Sequence, residues 1–144
     1  GLQSRKVERI LVANRTQEKG PELVRDLARA EGASLEALPW GELGHAAAFA
    51  RLIVNTTSLG MAGRPPLALD LTGAPDDAIV ADVVYVPLKT PLLAAAEARG
   101  LRIVDGLGML LHQAVPGFAR WFGATPRVTP ELHDIVAADI EGGR

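Results

Sequence analysis

The residues able to do chemistry fall in four short polar clusters, each directly after an apolar run. They are Asn14-Arg15-Thr16, Asn55-Thr56-Thr57-Ser58, Asp82 to Tyr85, and Asp105-Gly106 with the following helical run to Gln113. Arg15 offers a planar fork of donors that can grip a phosphate with two hydrogen bonds and lie flat on an aromatic ring. Thr16 is expected to start a helix, whose free amides favour an anion, and Lys19 one turn on adds charge. An ordinary polar loop with a helix cap is the plain alternative. Asn55 to Ser58 present hydroxyls and amides suited to phosphates and riboses. A turn that satisfies a strand end explains the same residues.

Tyr85 is the single tyrosine and precedes Val86-Pro87. Its hydroxyl can orient a polyol, although most such tyrosines only keep a polar tip in water. Gly106-Leu107-Gly108 lets a flat ring approach the backbone, and Gln113 can point its amide at the same space. Helix packing and a solvated amide account for them equally. His112 reads as a surface residue, and His45 and His133 are read as having no partners nearby in sequence, so no metal site is inferred. Lys89 reads as a solvated loop lysine, and Asp76-Asp77 as solvated charge in a Pro-rich turn.

The elements that must position these clusters alternate strand and helix. Strands are expected at Glu8 to Ala13, Ser34 to Leu38, Arg51 to Val54, Ala78 to Val84 and Leu101 to Val104. Helices are expected over Pro21 to Glu31 with Gly32 as a stop, and over Gly41 to Ala50. A third runs from Pro91 to about Gly100, capped by Thr90. A fourth covers Leu107 to Phe122, kinked or restarted at Pro116-Gly117, and a last one Pro130 to Ile140, capped by Thr129. This alternation means βαβ units and a parallel sheet. Ligands of such sheets bind at the carboxyl ends of the strands, which is where the polar clusters fall.

Composition narrows the classes. The chain has 144 residues, 48% hydrophobic and 22% charged, enough for one globular domain with a core. A formal net charge of −2 gives no reason to expect nucleic acid or an anionic membrane. With no cysteine there is no disulfide or thiolate metal site. No apolar run is long enough to span a bilayer. A cytoplasmic location is expected.

Four motifs in this order resemble the shikimate/quinate dehydrogenase family over nearly the whole chain, most closely from Leu52 to Met61 and from Asp82 to Gly123. The resemblance implies an NADP-binding Rossmann-like domain spanning residues 1–144, in an enzyme that moves a hydride between NADP and C3 of shikimate, giving 3-dehydroshikimate. It implies that Asn14, Arg15 and Thr16 bind the 2′-phosphate, where Lys19 would add its charge, and that Asn55, Thr56, Thr57 and Ser58 line the adenosine side. Val83, Gly106 and Met109 would surround the nicotinamide, and Tyr85 and Gln113 would reach the substrate. At Val83 the family often has Met. The family's catalytic lysine and aspartate belong to an N-terminal substrate domain, and this chain matches neither them nor the glycine-rich first turn. Residues 1–7 are expected to be the end of the helix after that turn. The sheet is then expected to lack its first, central strand, leaving edges that invite self-association or a missing N-terminal domain. The chain is expected to be a fragment, a truncated product or a protein whose missing strand comes from elsewhere. A non-catalytic binding or assembly module, and a quinate or aminoshikimate dehydrogenase, remain the alternatives.

Overall fold

The computed structural model describes residues 7–28 and 32–142. The chain runs β1 (Arg9–Ala13), α1 (Lys19–Leu27), β2 (Ser34–Leu38), a 3-10 turn (Trp40–Glu42) and α2 (Leu43–Ala47). It continues β3 (Leu52–Asn55), β4 (Ile79–Asp82), α3 (Pro91–Ala98), β5 (Arg102–Val104), α4 (Leu107–Phe122) and α5 (Pro130–Gly142). All pairings are parallel: β1 with β2 in one sheet, and β3-β4-β5 in another. This is the α/β, Rossmann-like arrangement with flanking helices. Among the described residues no strand joins β1 to β3.

One face of the larger sheet is closed. Val80, with Ile53 and Ile103 beside it in register, packs on Leu92, Leu93 and Ala96 of α3, and Leu71, Ala74 and Ala78 complete the core. The opposite face stays open and apolar, with Leu52 43%, Val54 42% and Val104 52% exposed. Arg99, just past α3, ties down the loop beneath it. Its guanidinium donates to the carbonyls of Leu71, Thr72 and Ala74 and pairs with Asp76 at 3.2 Å.

Several boundaries differ from the periodic reading. α1 starts at Lys19, two residues before Pro21, because a proline in the first turn has no amide that needs a partner. Thr16 therefore lies in the preceding turn, where its carbonyl accepts from the Lys19 amide at 3.1 Å, and the cap residue is Glu18. The helix ends at Leu27 because Ala28 is extended, so Gly32 is not what stops it, and the end of the expected helix at 29–31 lies outside the described residues. β4 ends at Asp82, whose side chain captures the next free amide, that of Val84. α4 runs unbroken through Pro116 and stops at Gly123, which takes the left-handed conformation that glycine tolerates. Thr90 and Thr129 cap α3 and α5 as the spacing requires, accepting from Leu93 and Leu132, each at 3.3 Å.

Candidate functional site

The carboxyl ends of the strands carry the four polar clusters, and a buried side-chain network locks two of them together. Asn55 ends β3 and Asp82 ends the adjacent β4, in register. The Asn55 amide donates to both Asp82 oxygens, at 3.0 and 3.1 Å, and to the carbonyl of Leu59 at 3.0 Å. Asp82 also accepts from the Val84 amide at 3.0 Å and from the Thr90 hydroxyl at 2.8 Å. Asn55, Asp82 and Thr90 are 3%, 2% and 0% exposed. Three protein groups thus donate to Asp82, as a buried carboxyl group requires.

The network shapes the loop after β3. The Asn55 side-chain oxygen, Oδ1, accepts from the amide and hydroxyl of Thr57, and that hydroxyl accepts from the Leu59 amide. The side chains of Asn55 and Thr57 are thus committed to building a turn, and Thr56 and Ser58 are the exposed members of the cluster. Gly60 then reverses the chain at φ +88. The Ala62 amide donates to the Val86 carbonyl at 3.0 Å, tying this loop to the one that carries Tyr85. Tyr85 is half-buried.

Gly106, buried at the start of α4, closes the site from the β5 side. A Cβ there would overlap the carbonyl of Val83 and lie 2.7 Å from that of Val84. Only glycine fits, and backbone approach to the β4 loop is the reason. Asp105 accepts from the Leu107 amide at 3.0 Å and fixes the turn. Val83 and Gly106 are therefore adjacent. Met109, 38% exposed, and Gln113, exposed, stand one turn apart on the same face of α4.

The remaining candidates gather at the other sheet. Asn14 bends the chain after β1 by accepting from the Thr16 amide at 2.9 Å. Asn14 and Arg15 line a cleft of about 420 Å³ whose far wall is Leu38, Pro39 and Trp40 at the end of β2. Among the described residues no carboxylate lines it, and no ion pair involves Arg15. Thr16 and Lys19 are exposed beside it. A cleft with a cation, two amides and an apolar wall suits a phosphorylated adenosine.

A second cavity of about 480 Å³ lies behind the Asp105-Gly106 turn, lined by Lys89, Asp105 and His133 among others. Lys89 pairs with exposed Glu97 at 2.9 Å, and His133 stands 3.7 Å from Asp105. Two carboxyl groups elsewhere titrate below the ordinary range. The hydroxyl and amide of Thr72 hold Asp70 down, and the backbone amide of Glu131 with the Thr129 hydroxyl does the same for Glu131. Both reflect local caps on exposed carboxyls.

Comparison with known proteins gives the chain's relatives. The family described as Shikimate 5'-dehydrogenase C-terminal domain matches residues 106–130. A shikimate dehydrogenase (NADP(+)) of Methylobacterium radiotolerans is 59% identical over 99% of this chain and 49% of its own length. The chain is similar to shikimate dehydrogenases along nearly its whole length. It spans about half the length of the curated relatives it matches; in Rhodopseudomonas palustris the identity is 57% over 97% of this chain and 49% of the relative. Quinate dehydrogenase from Corynebacterium glutamicum, in complex with NAD, superposes with a TM-score of 0.80 at 29% identity, over 94% of this chain and 48% of that one. Shikimate 5-dehydrogenase from Thermus thermophilus, in complex with NADP(H) and shikimate, gives 0.70 at 30% identity, over 92% and 46%.

Sequence reasoning singled out Asp82 but missed its buried partners, Thr90's second role and Trp40. Asp82 sits inside an apolar run, and its partners lie 27 and 8 residues away. Asp82→Ala leaves the Asn55 amide, the Thr90 hydroxyl and the Val84 amide without their acceptor. At about 1–3 kcal/mol for each unsatisfied buried group, urea unfolding is expected to show a loss of about 3 kcal/mol or more. A loss below about 1 kcal/mol would mean that the network does not hold the loops.

Proposed function

We propose that this chain is the NADP-binding part of a shikimate dehydrogenase, spanning residues 1–144. That enzyme interconverts shikimate and 3-dehydroshikimate on the way to chorismate and the aromatic amino acids. The observation that carries the cofactor reading is the Arg15 cleft. A carboxylate there would take the ribose 2′-hydroxyl of NAD and repel a 2′-phosphate. The cleft instead holds a guanidinium and amides. Asn14, Arg15, Thr16 and Lys19 surround the 2′-phosphate. Thr56 and Ser58 contact the adenosine side, on a turn that Asn55 and Thr57 hold in shape. Val83, Gly106 and Met109 form the walls for the nicotinamide. NADP, when bound, takes or returns the hydride.

Tyr85 and Gln113 face the substrate and orient its hydroxyl and carboxylate region. The carbinol proton needs a base within hydrogen-bond reach. Lys89 pairs with exposed Glu97, and the resemblance assigns the transfer to a lysine and an aspartate of an N-terminal substrate domain that this chain does not match. Relatives 57% and 59% identical carry the name shikimate dehydrogenase (NADP(+)), which supports shikimate. The same reading places the protein in the cytoplasm, with shikimate as its partner and no role for nucleic acid or membrane.

The split sheet fits this reading. In the strand order 3-2-1-4-5-6 the first strand is central. Here β2 and β1 take the third and second places, and β3, β4 and β5 the fourth to sixth. A strand from another segment of the protein fills the place between β1 and β3.

Three outcomes are expected. Arg15→Ala in the complete enzyme weakens NADP by roughly tenfold or more, the worth of a charge-assisted bidentate contact, and leaves NAD nearly unchanged. Equal loss of both in a binding titration contradicts the assignment. Tyr85→Phe and Gln113→Ala lower kcat/KM for shikimate by about tenfold, one hydrogen bond's worth. NADP affinity should hold; a variant losing it while keeping its KM for shikimate would reverse the geometry. The isolated 144-residue chain forms no NADPH from shikimate, and light scattering finds it associated through its open edges. Measurable turnover, or a well-folded monomer, speaks against the missing base or the missing strand respectively.

A further inference from the structure

One wall of the Arg15 cleft has no assigned task. Trp40 follows Pro39 at the carboxyl end of β2 and opens the 3-10 turn. It lines the cleft together with Arg15, Asn14 and Leu38. The residue is half-buried, so part of the indole remains open to the cleft. Ala37, Leu38 and Pro39 continue the same apolar surface. A phosphate gripped by Arg15 on the 2′-oxygen of a ribose leaves the base only one sugar away. The base must therefore fall within this cleft, whose volume of about 420 Å³ is that of a small-ligand site. A purine needs a flat apolar surface, and an indole provides one.

We propose that Trp40 is the base-binding residue of the cleft: its indole is the wall against which the adenine of an adenosine 2′-phosphate lies, opposite the Arg15 guanidinium. The inference rests on the NADP reading and deepens it. Arg15 recognises the phosphate and Trp40 the base. A tryptophan that merely supported the turn would act on the fold and on every ligand alike.

Calorimetric titration of the complete protein separates these roles, using 2′,5′-ADP, 5′-AMP and nicotinamide mononucleotide as probes. Trp40→Ala is expected to weaken 2′,5′-ADP and 5′-AMP by the same factor, roughly tenfold for one stacked base, and to leave the mononucleotide unchanged. Trp40→Phe, which keeps a ring, should bind within about threefold of the parent. Trp40→Leu keeps bulk without a ring, covers the case where the alanine variant does not fold, and should lose both adenine probes. Arg15→Ala differs by weakening 2′,5′-ADP far more than 5′-AMP. Unchanged 2′,5′-ADP binding in the alanine or leucine variant overturns the proposal and leaves the NADP reading standing. Equal loss of all three probes also overturns it, in favour of a structural tryptophan. Failure of the parent protein to bind 2′,5′-ADP removes the NADP reading and this proposal with it.

Discussion

A buried carboxyl group must find donors inside the protein, and the upper edge of the larger sheet is organised around that requirement. Asp82 meets it with the Asn55 amide, the Thr90 hydroxyl and the Val84 amide. Those groups belong to three different segments: the end of β3, the cap of α3 and the loop after β4. Because none can leave without exposing a desolvated partner, the segments are held as one unit.

Much of the candidate site follows from that unit. The turn from Asn55 to Leu59 is built on Asn55's other amide atom, which leaves Thr56 and Ser58 facing outward. The loop after β4 is fixed at Val84, so the Val83 carbonyl sits where only a glycine at 106 can pass it. Tyr85 follows one residue later. The residues we propose for the cofactor and for the substrate thus share one hydrogen-bonded frame, which suits the proposed hydride transfer, since small displacements of reacting atoms are costly. The Arg15 cleft stands apart on the β1-β2 sheet and depends instead on α1 packing closely over β2, where buried Gly20 lies 3.7 Å, by its missing Cβ, from Ala37.

The strands and helices were legible because each keeps a simple period or a local cap. Thr90 before Pro91 and Thr129 before Pro130 mark their helices by spacing alone, and the structure has both caps. Boundaries set by side chains were less legible. α1 begins before Pro21, and β4 stops where Asp82 turns to capture an amide. Asn55 looked like a ligand contact because its type suits one, yet its side chain is buried on Asp82; that pairing spans 27 residues and leaves no local trace. Glycine at 106 was readable as a close approach, but not that the approaching group is the Val83 carbonyl. Trp40 carries no motif, and only the folding of β2 beside β1 puts it across from Arg15.

The frame is tested most directly by native-state hydrogen exchange at four amides: Thr57, Leu59, Val84 and Leu93. Each donates to a side chain of the Asp82 network or to one held by it. If the network is one cooperative unit, they open together, with free energies agreeing within about 1 kcal/mol, and Thr90→Val lowers all four. Exchange of Thr57 and Leu59 at the rate of an open surface loop, while Val84 and Leu93 stay protected, would contradict it.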